Sequence, residues 1–484
     1  MEQINKRNLS LLTDFYEITM ANGYFQEGYK NTIGCFELFF RKVPDGGGYA
    51  IMAGLEQVVD YIQTLSFTDE DITFLRNKNM FGENFLEYLR NFKFTCDVHA
   101  VREGTPIFPS EPIMTVKGPV IQAQLIETML LLTINHQSLI ATKTNRIVRA
   151  ADGRAVLEFG ARRAHGYDAS IYGTRAAFIG GAVGSSNTIA DHLLGVPALG
   201  TMAHSWVQLF PSEYESFIAY AKTYPKQCVL LVDTFNVLKS GVPNAIKVFD
   251  EVLKPLGVRP KGIRLDSGDI TYLSVNARKM LDDAGYSDCP IVASNSLDEN
   301  IIRDLLVQGA KIDSFGVGER LITSRSEPVF GGVYKLTAIK HNGNITPKIK
   351  ISENVSKITN PGYKQLYRLY DSNTNKALAD VITLYDETID EKKPYEIFDP
   401  QSTWKRQVLT DYRVESLLIP IFMEGKLVYN LPTIKEIKNY CSEQISTLWD
   451  AVLRYENPHQ YYVDLSQKLW NLKQEMLHLS LIHI

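Results

Sequence analysis

Cysteine is scarce in this chain: five residues among 484, Cys35, Cys96, Cys228, Cys289 and Cys441, are scattered with no Cys-x-x-Cys pair. Such spacing supports neither a disulfide framework nor a thiolate zinc site, and a reducing cytosol suits it best. Long apolar runs are missing as well. The longest, Met129 to Ile134, falls far short of the ~20 residues that cross a bilayer, and the opening Met-Glu-Gln-Ile-Asn-Lys-Arg has no apolar signal core. Charge of one sign is also absent: 51 basic against 55 acidic side chains leave a net charge of −4. Nothing then points to nucleic acid or a membrane surface, and any anion site must be a local pocket of a few Arg, Lys and backbone N–H groups. The expectation is a soluble, cytoplasmic protein.

What is present is an ordinary globular composition, 45% apolar and 22% charged, on a chain too long for one core. Residues 11–26 show roughly helical spacing with a capping candidate at Thr13 or Asp14. Phe36, Leu38 and Phe40 alternate as in a strand that runs through Arg41 to Pro44 into a glycine loop at 46–48. Helical patterns near 54–64, 68–78 and 81–92, β-rich pieces at Val98 and Ile113 to Val116, and a helical region over 119–150 complete an α+β domain, 1–135.

From about 155 the rhythm becomes regular. Short apolar strands at 156–159, 229–233, 262–266, 291–294 and 312–316 alternate with helical patterns, and the ends at 233, 266, 294 and 316 lie 33, 28 and 22 residues apart. That is about one strand plus one helix each, the mark of a parallel βα array. The fold class expected is α/β: an irregular (β/α) barrel over 136–340 with its site at the C-terminal strand ends, an open doubly wound sheet being second choice. Residues 341–484 form a C-terminal extension packing on the other two parts. It follows a strand at 333–339 and a turn at Asn342-Gly343, and contains helices near 432–454 and 460–476. The closing Leu481-Ile482-His483-Ile484 is apolar and has no physical account.

The unusual polar residues gather at the predicted strand ends. Glu158-Phe159-Gly160-Ala161-Arg162-Arg163 delivers a ring beside two arginines, a combination suited to a flat ligand and to phosphate or carboxylate. Gly180 to Asn187, with Ser185, lets a backbone approach a ligand closely. Arg264-Leu265-Asp266-Ser267-Gly268-Asp269, supported by Asp233, places carboxylates where they can meet sugar hydroxyls, Mg²⁺ through water, or a developing cation. Ser314 to Arg320 enters the turn Gly316-Val317-Gly318, with Arg325 downstream, where barrels often build a phosphate site. Gly200-Thr201-Met202-Ala203-His204-Ser205-Trp206 presents one imidazole among small residues. Together these describe a pocket for a phosphorylated sugar bearing a second phosphate group, next to a flat, anionic ring.

In order along the chain, TDFYEITMANGY at 13–24, FELFFRKVP at 36–44, EFGARRAHG at 158–166, SSN at 185–187, GTMAHSW at 200–206, IRLDSGD at 263–269 and GVGERL at 316–321 resemble the motifs of the nicotinate phosphoribosyltransferases, over nearly the whole length. The resemblance implies a homodimer with shared active sites. It also implies ATP-coupled transfer of phosphoribose from 5-phosphoribosyl 1-pyrophosphate to nicotinate in NAD salvage, a ligase by class and a pentosyltransferase by chemistry, with Mg²⁺. Carried over, it implies that Phe159 stacks on the pyridine ring, with Tyr16 of the partner subunit on the other face. Arg162, Gly316, Gly318 and Arg325 would bind phosphate, and Asp233 the ribose hydroxyls. Arg264 and Asp266 would lie at the ring and pyrophosphate–Mg²⁺ end, and His204 would be phosphorylated by ATP. A nicotinamide enzyme has an Asp after the glycine loop, where this chain has Gly184-Ser185-Ser186, whose hydroxyls can donate to a carboxylate. The quinolinate enzymes are much shorter and more basic at the site. A silent dimer that only binds the sugar pyrophosphate or a nucleotide would lose the His and Asp tips, which are retained here.

Overall fold

The computed structural model describes residues 7–341, 343–354 and 357–481. Asn342 of the expected turn, residues 1–6 of the opening segment and 482–484 of the apolar tail lie outside the described residues. The chain forms two compact units, Met1–Leu139 with Val329–Ile484, and Ile140–Pro328. Segments 1–135 and 341–484, read separately from the sequence, thus share one unit.

The first unit is built on a seven-stranded antiparallel sheet. Its order is Asn344–Pro347, Gly332–His341, Ile33–Phe40, Met114–Pro119, Asp97–Ala100, Ile419–Met423 and Lys426–Leu427. Helices Phe15–Gln26, Leu55–Thr64, Asp69–Arg76 and Glu83–Arg90 fall where their periodicity placed them. The simple alternation expected at 36–40 does not hold, because Glu37 is buried along with Phe36, Leu38 and Phe40. Its carboxylate sits 2.9 Å from the Lys364 ammonium, which satisfies a charge the pattern would have turned to solvent.

A second sheet runs Tyr412–Ser416, Lys364–Asp371, Ala377–Leu384, Val463–Leu465. Here two helix expectations are corrected. The helix expected over 432–454 ends at Ser446, opened by a Thr433–Glu436 capping box, and 463–465 is a strand pairing parallel to 380–382, with helix only from Gln467. Three residues are too few to show a period, so cross-strand pairing decides their state.

At the centre of this sheet the Arg368 guanidinium, fully buried, grips Asp380 through Nε (2.7 Å) and Nη2 (2.6 Å) and donates to the Pro106 carbonyl at 2.8 Å. Its face lies over Phe108 and Tyr461, themselves stacked 3.9 Å apart. Glu111, also fully buried, is pushed well above the usual carboxyl range by desolvation and by the neighbouring Asp380 carboxylate, against the pull of Arg368.

The second unit carries six short strands, all parallel, in the order Gly184–Ser185, Ala155–Glu158, Ser314–Val317, Ile291–Ser294, Gly262–Leu265, Val229–Leu231. Neighbours in the sheet are neighbours in sequence, except that the last strand returns to the first. That order belongs to a barrel rather than to a doubly wound sheet, which reverses at its middle. The ladder has no pairing between Gly184–Ser185 and Val229–Leu231, so the sheet curls as an incomplete, irregular (β/α) barrel. Leu230, Ile263, Leu265, Ile291, Val242, Phe249 and Ala277 pack the strands against their helices with no exposed surface. The strand at 184–185 was not expected, being only two residues long. Among the described residues no helix is long and apolar enough to cross a membrane.

Because Glu111 ionises at a higher pH when folded than when unfolded, its contribution is present at low pH and lost as the pH rises towards its folded value. Thermal melts at successive pH values above the ordinary carboxyl range are expected to show a falling Tm that flattens in Glu111→Gln. A wild-type melting temperature that does not fall over that range, or an unchanged slope in the variant, would contradict this.

Candidate active site

Most of the chemistry-bearing residues meet where the parallel strands end. Beyond Leu265 the ladder stops, and the backbone N–H of Asp266 is taken by Asp233 Oδ2 at 2.9 Å, which also accepts from the Ser267 hydroxyl at 2.6 Å. Asp233 is buried, and its other oxygen, Oδ1, has no partner among the described residues. A buried carboxylate oxygen without a donor is costly unless something supplies one, a ligand hydroxyl or a hydrated cation for example.

Arg264, on the strand Gly262–Leu265 itself, lies across the same ends. Its Nε donates to Ser294 Oγ (2.9 Å), Nη1 to Thr201 Oγ1 (3.4 Å) and Nη2 to Asp266 Oδ1 (3.0 Å), and Ser294 donates to that same carboxylate oxygen. The guanidinium carbon is 5.7 Å from the centre of the half-buried Phe159 ring, within cation–π range. Three of its five N–H groups are used, leaving one on each terminal nitrogen. His204 opens the helix His204–Leu209; its Nδ1 lies 3.0 Å from the Thr234 hydroxyl and its Nε2 3.7 Å from Asp266 Oδ2. Its side chain is 41% exposed, open enough to be approached from solvent. Trp206, beside it, instead bonds the Ser216 carbonyl at 3.1 Å and packs on Phe210 and Tyr220.

The glycine turn is explained by the ring next to it. A Cβ on Gly316 would come within 2.6 Å of the Phe159 ring, one on Gly318 within 3.1 Å of the Phe159 carbonyl, and one on Gly160 within 2.6 Å of Ile322. Phe159 is thereby wedged against bare backbone. Arg162 is exposed on the 3₁₀ turn Ala161–Arg163, and Arg325 is exposed and 3.3 Å from Glu319; neither joins the Arg264 network. Ser185 is fully buried, its hydroxyl donating to Glu158 at 2.6 Å and accepting from the Asn187 N–H at 3.0 Å. That engagement is at odds with a Ser185 hydroxyl held ready for a ligand carboxylate. Tyr16 belongs to the other unit, half-exposed on helix Phe15–Gln26, with its hydroxyl bonded to Glu127.

Models of the nicotinate phosphoribosyltransferase N-terminal domain, family and C-terminal domain match residues 11–135, 155–386 and 363–473. The nicotinate phosphoribosyltransferase of Bacillus subtilis is 44% identical over 97% of this chain and 96% of its own length. The chain belongs to the nicotinate phosphoribosyltransferase family. The human relative of that name is 32% identical over 95% of each chain, and the crystal structure of human nicotinic acid phosphoribosyltransferase superposes with a TM-score of 0.85 over 96% of this chain and 99% of that one, at 30% identity. A nicotinate-nucleotide pyrophosphorylase structure from Pyrococcus furiosus, 23% identical with a TM-score of 0.70 over 92% of this chain and 98% of that one, shares the fold.

Four polar residues that tie these side chains together were given no role from the sequence: Ser294, Thr201, Thr234 and Ser267. Each sits at or just past a strand end or loop already singled out, so position at the C-terminal face was the available signal. Asn295 (φ 86°) and Ser296 (φ 46°) follow Ser294 in left-handed conformation, a strain no sequence pattern announces.

Gly316→Ala is expected to destabilise the protein by about 1–3 kcal/mol, the usual result of overpacking, because the added methyl group would collide with the Phe159 ring. Urea unfolding would measure it, and a change below about 0.5 kcal/mol would mean that Phe159 is not wedged.

Proposed function

We propose that this chain transfers the 5-phosphoribosyl group from 5-phosphoribosyl 1-pyrophosphate to nicotinate, with ATP hydrolysis coupled, yielding nicotinate mononucleotide and pyrophosphate in NAD salvage in the cytoplasm. The observation that carries the reading is the Arg264 guanidinium held by Ser294, Thr201 and Asp266 beside the Phe159 ring. A pyridine carboxylate stacked on that ring meets a fixed cation with a free N–H on each terminal nitrogen, whereas the amide of nicotinamide gains less from it. With the Ser185 hydroxyl engaged by Glu158, discrimination falls to Arg264.

The transfer needs no proton removed from the pyridine. Its nitrogen lone pair forms the bond to ribose C1 as the bond from C1 to the pyrophosphate oxygen breaks, through an oxocarbenium-like centre. Asp233 holds ribose hydroxyls through its unpartnered Oδ1 and, with Asp266, supplies negative charge to that centre. Arg162, Arg325 and the Gly316-Val317-Gly318 turn bind phosphate. The donor set also fits Mg²⁺, which needs only one or two carboxylates when phosphates and water complete its shell: Asp266 would hold it through water. When bound, Mg²⁺ neutralises charge on the pyrophosphate. His204 accepts the γ-phosphoryl group of ATP on a ring nitrogen with release of ADP, and its phosphorylated form orders the site around the sugar pyrophosphate. Two copies associate, the partner subunit's Tyr16 covering the face of the pyridine opposite Phe159; the exposed Phe15, Tyr16 and Met20 of helix Phe15–Gln26 support such an assembly.

Purified protein given 5-phosphoribosyl 1-pyrophosphate, Mg²⁺ and either nicotinate or nicotinamide should turn over nicotinate far more efficiently. Equal kcat/KM for the two would refute the assignment. Arg264→Ala should cut the nicotinate kcat/KM by about 10–100-fold, as expected for losing a charge-assisted pair. His204→Ala should abolish ATP hydrolysis and ATP stimulation while slow, ATP-independent transfer persists; unchanged ATP coupling in that variant would remove His204 from the mechanism.

A further inference from the structure

Immediately before Phe159 in the chain sits a carboxylate to which the reaction assigns no part. Glu158 is fully buried at the end of strand Ala155–Glu158. One oxygen accepts the backbone N–H of Gly160, and the other accepts the hydroxyls of Thr174 (2.9 Å) and Ser185 (2.6 Å). Ser185 in turn accepts the Asn187 N–H at 3.0 Å, and Asn187 reaches back to Thr174 at 3.4 Å. One side chain thereby ties together three separate pieces: the turn that follows Phe159, helix Tyr167–Ile179, and the segment 184–187. Desolvation pushes the carboxyl above its usual range, and these three donors pull the other way.

The geometry around Phe159 shows what the tie accomplishes. The peptide before the ring is fixed by the Phe159 N–H donating to the Val317 carbonyl at 2.8 Å, a continuation of the sheet ladder. The peptide after the ring lies beyond the ladder, and its N–H is held by the Glu158 carboxylate alone. Gly316 then closes on the ring at Cδ2 and Cε2. A stacking platform needs a fixed plane, and a ring secured on one side only would rock about its Cα and lose contact with a flat ligand.

Resting on the reading of Phe159 as the pyridine platform, we infer that Glu158 is a positioning residue for the nicotinate site, acting through Gly160 and Ser185 to fix the plane of the Phe159 ring. Glutamine keeps the shape but supplies only one acceptor oxygen, so either the Gly160 N–H or the hydroxyl pair faces an NH₂ donor and loses its acceptor.

The test is a steady-state comparison of Glu158→Gln, Ser185→Ala and Thr174→Val with wild type, varying nicotinate and 5-phosphoribosyl 1-pyrophosphate separately. Expected for Glu158→Gln is a nicotinate KM raised about tenfold, with kcat at saturation and the KM for the sugar pyrophosphate changed by less than about threefold. The two single-donor variants should raise the nicotinate KM less, and Ser185→Ala should add nothing when combined with Glu158→Gln. A lowered melting temperature with both KM values unchanged would overturn the inference, leaving Glu158 a purely structural tie; so would an equal rise in both. Should Glu158→Gln fail to fold, the Thr174 and Ser185 variants carry the same KM comparison. The ¹⁹F signal of Phe159 in fluorophenylalanine-labelled, ligand-free protein, assigned with Phe159→Leu, should broaden or split in the Glu158, Ser185 and Thr174 variants, and an unchanged line would overturn the inference independently of turnover. Wild-type protein inert towards nicotinate would instead refute the functional reading, while the ¹⁹F result still reports on the ring.

Discussion

Backbone N–H groups at the end of a parallel strand have no ladder left to satisfy them, and in the barrel unit side-chain carboxylates take over that task. Asp233 takes the N–H of Asp266, and Glu158 takes the N–H of Gly160. Each is buried, so each tie forms in a medium where an unmet donor or acceptor is expensive and a met one is strong. The site inherits its rigidity from this substitution: the loops that carry Asp266, Ser267 and Phe159 are held by short side-chain bonds in place of sheet.

Arg264 extends the same principle sideways. Its three protein partners come from separate segments, the strand ends at 266 and 294 and the loop at 201, so the cation is preorganised before any ligand arrives. A guanidinium held this way would lose little conformational freedom on meeting an anion. The glycines at 160, 316 and 318 serve this arrangement by letting chain and ring approach closely. They act here first as packing devices, and a phosphate that binds near them uses space the packing has already shaped.

The regular part of the fold was legible because its signals are repetitive: the spacing of strand ends at 233, 266 and 294 marked the βα array, and the helices of the first unit showed their period. The two-residue strand at 184–185 and the strand at 463–465 were not, since so few residues cannot display a period and exist only through pairing. Glu37 was misread for a related reason, as its partner Lys364 lies more than three hundred positions away. At the site, residue types at strand ends pointed to Arg264, Asp266 and Asp233, and an imidazole framed by small residues pointed to His204. The commitment of the Ser185 hydroxyl to Glu158 could not be seen without three-dimensional contacts.

The barrel unit, Ile140–Pro328, is continuous in sequence, whereas the unit that surrounds it in the chain is split in two. During synthesis the barrel segment can therefore close on itself, Ser314–Val317 docking beside Ala155–Glu158, as soon as residue 328 has emerged. Strand Ile33–Phe40 must wait longer. It pairs early with Met114–Pro119 on one side, but its other edge is covered only when Gly332–His341 arrives, about 300 residues after it was made. Until then the nascent chain carries an open, phenylalanine-rich strand edge, the kind of surface that invites intermolecular pairing and the attention of chaperones.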